Sequence, residues 1–413
     1  MTDLAISKAI CDDAHCTGCL ACVNACHKGA IQKGTNEEGF IRPVLHESLC
    51  IDCGSCLKVC PTLYPLEHNA EQVRFPSAYA CWSLQSTVRR KSSSGGLFTE
   101  LSKAILSQRG SVYGAKLDKN IICVLSSSEI ENGIDKFRGS KYVQCDVGEN
   151  RLAEIKKLLV KGSLVLFSGT PCQVAGLKKF LGKDYDNLIT VDFLCHGVPS
   201  PKLFQRYVKY LEDTYLARIV NFCFRDKRTS WRTFNFKVLF DNGKEVCISR
   251  LKDPYYNIFL RDYALQKSCY SCQYTRIHRN SDITMADYWL DCRGKEGSKL
   301  PDDDKGISLC LVNTVKGEKL FESVSDNLSR YPLDMELVCN RYKYLHTPTS
   351  EPSDRKNFWA DFNRMEFKML ASKYGYPNKI SIADTVVMRF GRNKWNGLLI
   401  KVLYKIQNIF SKL

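Results

Sequence analysis

The sequence lacks the features that mark a secreted or membrane-spanning chain. No run reaches the roughly 18 apolar residues that a membrane-spanning helix needs. The N-terminus, MTDLAISKAICDDAHC, contains acids and no apolar core of signal-peptide length. No low-complexity stretch is long enough to suggest disorder, and 44% hydrophobic with 25% charged residues is ordinary for a globular protein. We therefore expect a cytoplasmic protein whose 413 residues form two or three domains.

Acidic residues are few relative to basic ones, 44 against 60, which gives a net charge of +16. Such an excess is found in many nucleic-acid-binding proteins. The sequence, however, contains no helix-turn-helix, RNP or zinc-finger spacing. A basic surface that faces an acidic redox partner or an anionic membrane is the simpler account of the charge. We therefore place a basic nucleic-acid enzyme last among the alternatives.

Cysteine, by contrast, is abundant: there are 21, and nine of them lie in the first sixty residues. A long chain without a signal peptide favours metal or redox chemistry over a disulfide framework. The sequence CTGCLACVNAC (16–26) recurs as CIDCGSCLKVC (50–60), 34 residues later. Both copies read CxxCxxCxxxC, the spacing of bacterial ferredoxins. Pro61 follows the second copy as the pattern requires, whereas His27 follows the first.

The two copies predict ligands for two 4Fe–4S clusters. Three closely spaced thiolates bind three irons of one cluster, and the fourth cysteine binds the other cluster. We therefore assign the first set as Cys16, Cys19, Cys22 and Cys60, and the second set as Cys50, Cys53, Cys56 and Cys26. A structural zinc site also uses CxxC pairs, but zinc needs four ligands, so further cysteines would be surplus. Cys11 has no place in the pattern and is expected to be an ordinary thiol.

The sequence predicts three parts: an α+β ferredoxin-like domain, a mixed α/β domain with a largely parallel sheet, and a basic helical tail. Their boundaries fall at residues 1–70 (halves about 7–36 and 41–70), 76–350 and 351–413. Residues 65–78 are polar and bounded by prolines, as a linker would be. The parallel sheet is predicted because helices and buried strands alternate over residues 151–211.

Four further cysteines lie in or near loops where ligands gather in open α/β sheets, outside the carboxyl ends of the strands. Cys172 is in SGTPCQ, Cys195 is in CHGVPSP, and Cys269 and Cys272 form a lone CxxC. Together they could bind a third 4Fe–4S cluster. Free cysteines also serve as small apolar core residues, and the residues alone leave both interpretations open. The core interpretation is the better one for the cysteines in strand-like runs, Cys123, Cys223, Cys247 and Cys310.

The segment RRKSSSGGLFTELSKAIL (89–106) is a polar loop that enters a helix. Backbone N–H groups at such a helix start suit a phosphate, and here they could bind a dinucleotide pyrophosphate. The residues concerned are Ser94, Gly95 and Gly96, with Arg89, Arg90 and Lys91 adding positive charge. A start rich in Ser and Gly is more often a plain helix cap. The segment is neither GxGxxG nor a Walker A sequence.

A family resemblance is carried by motifs in a fixed order: the ferredoxin block, SSSGGLFTEL, KYVQC (141–145), FSGTPCQVAGLKKFL, CHGVPSP, FRDK (224–227) and CxxC…DITMADYW. Over residues 1 to about 345 the chain resembles the coenzyme F420 hydrogenase/dehydrogenase beta-subunit family. Members are iron–sulfur flavoproteins that bind FAD and usually carry a 4Fe–4S cluster in the main domain. The resemblance implies a third cluster on Cys172, Cys195, Cys269 and Cys272. It also implies flavin contacts from Ser94, Gly95, Gly96, Lys141, Tyr142, Gln144, Thr170, Pro171 and Gln173.

The resemblance implies an oxidoreductase that passes electrons from the ferredoxin-type clusters, through a further cluster, to FAD and a small organic substrate. A ferredoxin or another oxidoreductase subunit would be its redox partner. The alternative is an electron-transfer subunit that serves a partner enzyme and has no substrate of its own. Some similar chains sit among surface-polysaccharide enzymes, which offers one setting for the substrate.

Two departures from the family pattern leave the substrate and the use of coenzyme F420 open. Ala286 stands before Asp287, and Ser230 before Trp231, where the family often has glycine. The catalytic residues are unassigned. The titratable residues near the motifs are His196, Asp282 and Asp287, and each could instead anchor a loop.

The tail reads KWNGLLIKVLYKIQNIFSKL from residue 394, and no acidic residue follows Asp384. Apolar residues recur at helical spacing with lysines between them. A basic amphipathic helix suits an anionic membrane surface, so peripheral contact with the inner face of the membrane is one expectation. Packing of the apolar stripe on the protein's own body is the other, and it is the commoner outcome for such stripes.

Overall fold

The computed structural model describes residues 11–66, 76–289, 300 and 303–376. The helix expected at 394–413 and most of the expected linker lie outside these residues. The N-terminal block, residues 11–66, contains α1 (Ala21–Ala25), β1 (Ile31–Thr35), β2 (Ile41–Leu45) and α2 (Ser55–Lys58).

The body, from residue 76 onward, contains both strands and helices. In chain order they are β3 (Ser77–Ser83), α3 (Ser86–Lys91), α4 (Leu97–Ser107), β4 (Ser111–Leu117), β5 (Cys123–Ser128), α5 (Arg151–Val160), β6 (Val165–Ser168), α6 (Pro171–Leu181), β7 (Leu188–Phe193), α7 (Pro201–Tyr215), β8 (Ile219–Asp226), β9 (Asn235–Phe240), β10 (Glu245–Ser249), α8 (Pro254–Leu260), α9 (Lys267–Tyr270), β11 (Ile283–Asp287), β12 (Ser308–Val312), α10 (Val315–Ser323), β13 (Leu328–Leu333), α11 (Met335–Arg341), α12 (Arg355–Arg364) and α13 (Phe367–Tyr374). Short 3-10 turns lie at Glu47–Leu49, Glu131–Phe137, Ser325–Asn327 and Lys343–Leu345.

The N-terminal block repeats its backbone geometry as well as its sequence. Gly18 and Asp52, at the same position of the two copies, both adopt left-handed backbone, with φ of 66° and 52°. Leu20 and Gly54, which precede α1 and α2, do the same. Left-handed residues in a tight loop turn neighbouring N–H groups toward one side, which makes an anion-binding concavity. The two loops therefore share one local design, and the antiparallel pair β1–β2 lies between them in the chain.

The body contains an eight-stranded sheet in the order β13-β3-β12-β11-β7-β6-β4-β5. Strands β11, β7, β6 and β4 are parallel neighbours. The other four pairs are antiparallel. The prediction of a largely parallel sheet is therefore wrong, although the mixed α/β class is right. Strand β5 folds back on β4 through a tight turn in which the Asp118 N–H donates to the Ile122 carbonyl, and β12 runs back between β11 and β3.

The alternation predicted over residues 151–211 is present as α5, β6, α6, β7 and α7. The two strand-end loops enter their helices through side-chain caps. Thr170 accepts the Gln173 N–H while the Gln173 side chain accepts the Thr170 N–H, a capping box ahead of Pro171. Ser200 accepts the Leu203 N–H at the start of α7. These caps hold the loops that carry Cys172 and Cys195 at the carboxyl ends of β6 and β7.

A second, three-stranded antiparallel sheet in the order β10-β9-β8 was not predicted. Its buried phenylalanines share one core with α7, α8 and the N-terminal block, where Phe40 is fully buried. Helices α12 and α13, within the segment expected to be a tail, pack on that core through Phe358, Phe367 and Leu370. Among the described helices, none has the length and apolar character needed to traverse a membrane.

Candidate functional site

The second set of cysteines lines one cavity near the surface. Cys26, Cys50, Cys53 and Cys56 all border it. Cys53 is exposed and Cys56 is buried. Hydrogen bonds from the side chain and the backbone of Ser55 lower the pKa of Cys53. Burial raises the pKa of Cys56, while the backbone N–H groups of Cys56 and Leu57 act in the opposite direction.

The first set lies deeper. Burial is the main cause that raises the pKa of Cys19, to about 12, and the charges of Cys16 and Cys60 raise it further. The same two thiols act on Cys22. The four thiols are thus close enough to repel one another as thiolates. Metal binding needs thiolates, so bound iron would supply the compensating positive charge. Backbone N–H groups of Gly18 and Ala21 point at Cys16 and Cys19.

Cys11, expected to be an ordinary thiol, lies beside the first set. It is hydrogen-bonded to Cys60, and this hydrogen bond is the largest cause that lowers the pKa of Cys60. Among the cysteines expected in the core, Cys123 and Cys310 are buried and Cys223 is partly buried. Cys247 is exposed, which corrects that expectation. It lies on β10, an edge strand, and its sulfur accepts a hydrogen bond from Arg228 at 2.8 Å.

The third set of cysteines comes from three separate segments of the chain and lines one cavity. Cys172, Cys195, Cys269 and Cys272 all border it, together with Thr17 of the N-terminal block. Burial raises the pKa of each of these thiols, and their charges act on one another. No group of three His, Cys, Asp or Glu residues in the described ranges converges closely enough to hold a single metal ion.

Arg279 gives the third cavity a buried positive charge. Its side chain is 2% exposed, and one guanidinium nitrogen donates to Asp192 at 2.9 Å. Its Nε has no hydrogen-bond partner among the described residues. Burial raises the pKa of Cys195 and Cys272, and the Arg279 charge acts against that rise. A buried N–H without a partner, beside four thiols, fits a cluster whose sulfides accept hydrogen bonds.

The SGG loop, residues Ser94–Gly96, lies against the ends of β3 and β12. The Gly95 N–H donates to Ser308 Oγ at 3.0 Å, and Ser94 Oγ donates to the Ile307 carbonyl at 2.6 Å. A Cβ on Gly95 would lie 2.4 Å from the Cys81 carbonyl oxygen, so only glycine fits there. Gly96, with φ of 98°, begins α4. Glycine is therefore required at Gly95 by the close backbone and favoured at Gly96 by its left-handed conformation.

Two buried cations of β8 and its following turn hold this loop. Arg225 donates to Asp287 at 2.8 Å, to the Tyr142 hydroxyl at 3.0 Å and to the Ser93 carbonyl at 2.9 Å. Its Nε has no partner among the described residues. Burial, the largest single cause, acts to lower the pKa of Arg225, but Asp287 and Tyr142 together outweigh it and raise the pKa. Lys227 donates to the Ser94 carbonyl at 2.9 Å, and burial, followed by the charge of Arg225, lowers its pKa to about 7.

The other expected flavin contacts lie elsewhere. Lys141 donates to two backbone carbonyls, those of Lys136 and Arg138. Gln144 accepts the Ile41 N–H at 2.7 Å and donates to Gln266 at 3.0 Å, so it joins the N-terminal block to the body. The capping pair Thr170 and Gln173 flanks Cys172, and Pro171 lines the third cavity. Near the SGG loop, Arg89 is paired with Asp303, while Arg90 and Lys91 are exposed.

The three titratable residues near the motifs have different surroundings. Asp282 is buried and accepts hydrogen bonds from the Thr190 N–H and hydroxyl, both at 2.7 Å, so it anchors a loop. Asp287 is paired with Arg225. His196 lines the third cavity and is hydrogen-bonded to Asp262 at 2.6 Å and to the Tyr344 hydroxyl.

Comparisons with known proteins agree with the order of these sites. Residues 15–63 match the family model of the 4Fe–4S dicluster domain. Residues 162–331 match the model of the C terminus of the coenzyme F420 hydrogenase/dehydrogenase beta subunit. The chain carries a C-terminal domain of that family behind a 4Fe–4S dicluster domain. The resemblance found in the sequence is thereby confirmed for these two regions, a 4Fe–4S dicluster domain and a region similar to the C terminus of that beta subunit.

Curated relatives match a short part of the chain. Three versions of the ferredoxin-type protein NapF from Escherichia coli are 33% identical over 79 residues, which is 19% of this chain and 47% of each relative. The chain thus spans about half the length of these relatives. A chain of the F420-reducing [NiFe] hydrogenase complex from Methanosarcina barkeri aligns with 76% of this chain and 99% of its own length, at 16% identity and a TM-score of 0.44.

Proposed function

We propose that this chain is an iron–sulfur flavoprotein oxidoreductase that acts on a small organic substrate and that its third cysteine set binds a 4Fe–4S cluster. The observation that supports this most directly is the single cavity bordered by Cys172, Cys195, Cys269 and Cys272. Three separate segments of the chain bring thiols to one place beside a buried arginine. Core packing alone does not require that convergence.

In this proposal, electrons pass from the second cysteine set to the first and from there to the third. The second set includes the exposed Cys53. The first set adjoins the third, because the Cys19 charge acts on Cys172 and because Gly176 of α6 packs directly on Cys19. Beyond the third cavity, the ring centroids of His196 and Phe259 are 5.0 Å apart, and those of Phe259 and Tyr142 are 5.5 Å apart. We therefore propose the second set as the site where a redox partner, such as a ferredoxin or another oxidoreductase subunit, exchanges electrons.

FAD is proposed to lie at the SGG loop. Ser94, Gly95, Gly96 and Tyr142 would contact it, and Arg225 and Lys227 would offer positive charge to its phosphates. The orphaned Nε of Arg225 is the structural observation that fits such a ligand. A cluster carries one electron at a time, whereas a bound flavin exchanges one or two, so the pair would join single-electron and hydride chemistry. Thr170, Pro171 and Gln173 hold Cys172, and Lys141 and Gln144 are structural in this proposal.

In this proposal, Asp287, Trp231 and Trp289 hold the flavin site in place and shield it. Asp287 neutralises Arg225 and keeps its guanidinium beside Ser93. The Trp231 indole donates to Asp287 at 3.3 Å and stacks on Trp289 at 4.7 Å. Sugar derivatives of the kind used in surface-polysaccharide metabolism are the first substrates to test. We place the reaction in the cytoplasm, and membrane contact by the tail concerns residues outside those described.

The test is the composition of the purified protein. We expect about twelve iron atoms and one flavin per chain, since three 4Fe–4S clusters hold four irons each. Replacing Cys269 and Cys272 with serine should leave about eight irons, whereas Cys247→Ser, on an exposed strand, should keep all twelve. A wild-type protein with eight irons and no flavin would refute the proposal.

An electron-transfer subunit without its own substrate is the second candidate. The exposed Cys53 favours it, because a cluster site at the surface suits exchange with another protein. Turnover separates the two functions. Steady oxidation of a reduced dye by a small substrate, catalysed by this chain alone, supports the enzyme. Turnover that appears only with an added partner protein supports the subunit.

A further inference from the structure

A buried arginine of the N-terminal block lies between the first and third cysteine sets. Arg42, on β2, is 6% exposed. Its Nη1 donates to the Ile41 carbonyl at 2.9 Å and to Gln266 Oε1 at 3.1 Å, and its Nε donates to Asp13 at 2.8 Å. The guanidinium is therefore held on two sides by groups from distant parts of the chain.

Each side leads to a set of cysteines. On one side, Arg42 Nη1 lies 3.5 Å from the point that a Cβ of Gly18 would occupy, within the Cys16–Cys19 loop. On the other side, Gln266 precedes the CxxC of the third set, and its carbonyl accepts the Cys269 N–H at 2.9 Å. The Gln266 amide also donates to the Thr17 carbonyl at 3.2 Å. Arg42 and Gln266 thus tie both loops together.

The positive charge of Arg42 lies beside the loop that carries Cys16 and, through Gln266, beside the turn that carries Cys269. Asp13 is 40% exposed, so water screens part of its negative charge and leaves the arginine a net positive influence.

We propose that Arg42 is a positioning residue that holds the first and third clusters at a fixed separation and raises the reduction potentials of both. A reduced cluster carries one more negative charge than an oxidised one, so a fixed cation in a low-dielectric interior favours the reduced form. The third-cluster part of this inference depends on the proposed function. The first-cluster part depends only on the dicluster domain.

The experiment is a redox titration of the purified holoprotein followed by electron paramagnetic resonance. Arg42→Met should lower the reduction potential of the first cluster. The electron equilibrium between the first and second clusters should then shift about tenfold toward the second, which corresponds to about 59 mV for a one-electron couple. The third cluster should shift in the same direction and the second should not move. Arg42→Lys keeps the charge and should retain most of both potentials. Equal shifts in Arg42→Lys and Arg42→Met, or unchanged potentials in Arg42→Met, would overturn the inference.

Asp13→Asn is a second variant, which keeps the buried arginine and should shift the reduction potentials in the opposite direction. Removing this half-exposed carboxylate should raise the potentials of the first and third clusters, and a fall or no change at both would contradict the inference. Iron content separates the two proposals. A wild-type chain with eight irons refutes the third cluster, while the shift of the first cluster in Arg42→Met still decides the role of Arg42.

Discussion

Gly176 offers a direct test of how closely α6 packs on the first cysteine set. A Cβ at this position would lie 2.8 Å from Cys19 Cβ and 2.9 Å from Cys19 Sγ, about half an ångström or more inside ordinary contact distance. In an unconstrained helix, Gly→Ala stabilises by about 1 kcal/mol. Overpacking of a buried site costs about 1–3 kcal/mol. Gly176→Ala should therefore change the free energy of unfolding little, or lower it by at most about 2 kcal/mol.

Gly176→Ala should weaken binding of the first cluster more than it lowers the stability of the fold, because the displaced atom is the sulfur of a proposed cluster ligand, Cys19. We expect Gly176→Ala to lose the first cluster selectively, seen as a loss of about four irons and of one cluster's resonance signal. Unfolding of the iron-free protein in urea measures the change in stability. The control is Gly182→Ala at the end of α6, where φ is 73° and no atom lies within 4 Å of the added Cβ. That change costs about 1–2 kcal/mol through backbone strain and should spare the iron. Full iron in Gly176→Ala would refute the reasoning.

Two further predictions concern buried charges of the body. Burial raises the pKa of Asp253 to about 7, although its hydrogen bond from Tyr207 acts in the opposite direction. The folded state then holds this proton more tightly than the unfolded state, so stability should fall as pH rises from about 4 to 7. Asp253→Asn should flatten that slope in urea titrations at several pH values, and an unchanged slope would contradict the assignment. Arg225→Met should cost about 3–5 kcal/mol, because Asp287 loses its buried partner, and adding Asp287→Leu should recover much of that loss. Thermal unfolding of both variants checks this, and an additive loss in the double variant would contradict it.

Local spacing explains what could be predicted from the sequence. The eight cysteines of the dicluster domain follow from a short repeat, and the two copies even share their left-handed positions, Gly18 with Asp52. The strands and helices of residues 151–211 follow from apolar periodicity and from caps such as Thr170 and Ser200. Each of these signals lies within a few residues of the structure that it specifies.

Contacts between distant residues explain what could not be predicted. Arg225 and Asp287 are 62 positions apart, and Arg42 and Gln266 are 224 apart. The FRDK motif identifies Arg225 and Lys227 in the sequence. The neighbouring sequence, however, does not indicate which carboxylate or carbonyl each of them binds. The antiparallel outer strands of the sheet are a similar case, since strand order depends on packing across the whole body.

The motif KYVQC (141–145) shows that not every residue of a family motif need contact a cofactor. The Tyr142 ring stacks on Phe234, and its hydroxyl accepts a hydrogen bond from the Arg225 guanidinium. Gln144, two residues later, has both ends of its amide engaged by Ile41 and Gln266. This short segment therefore spans from the SGG loop and its cations to the Arg42 network between the first and third cysteine sets. A change that displaces it would disturb both places at once, so a loss of flavin after mutation of Gln144 would not by itself make Gln144 a flavin contact.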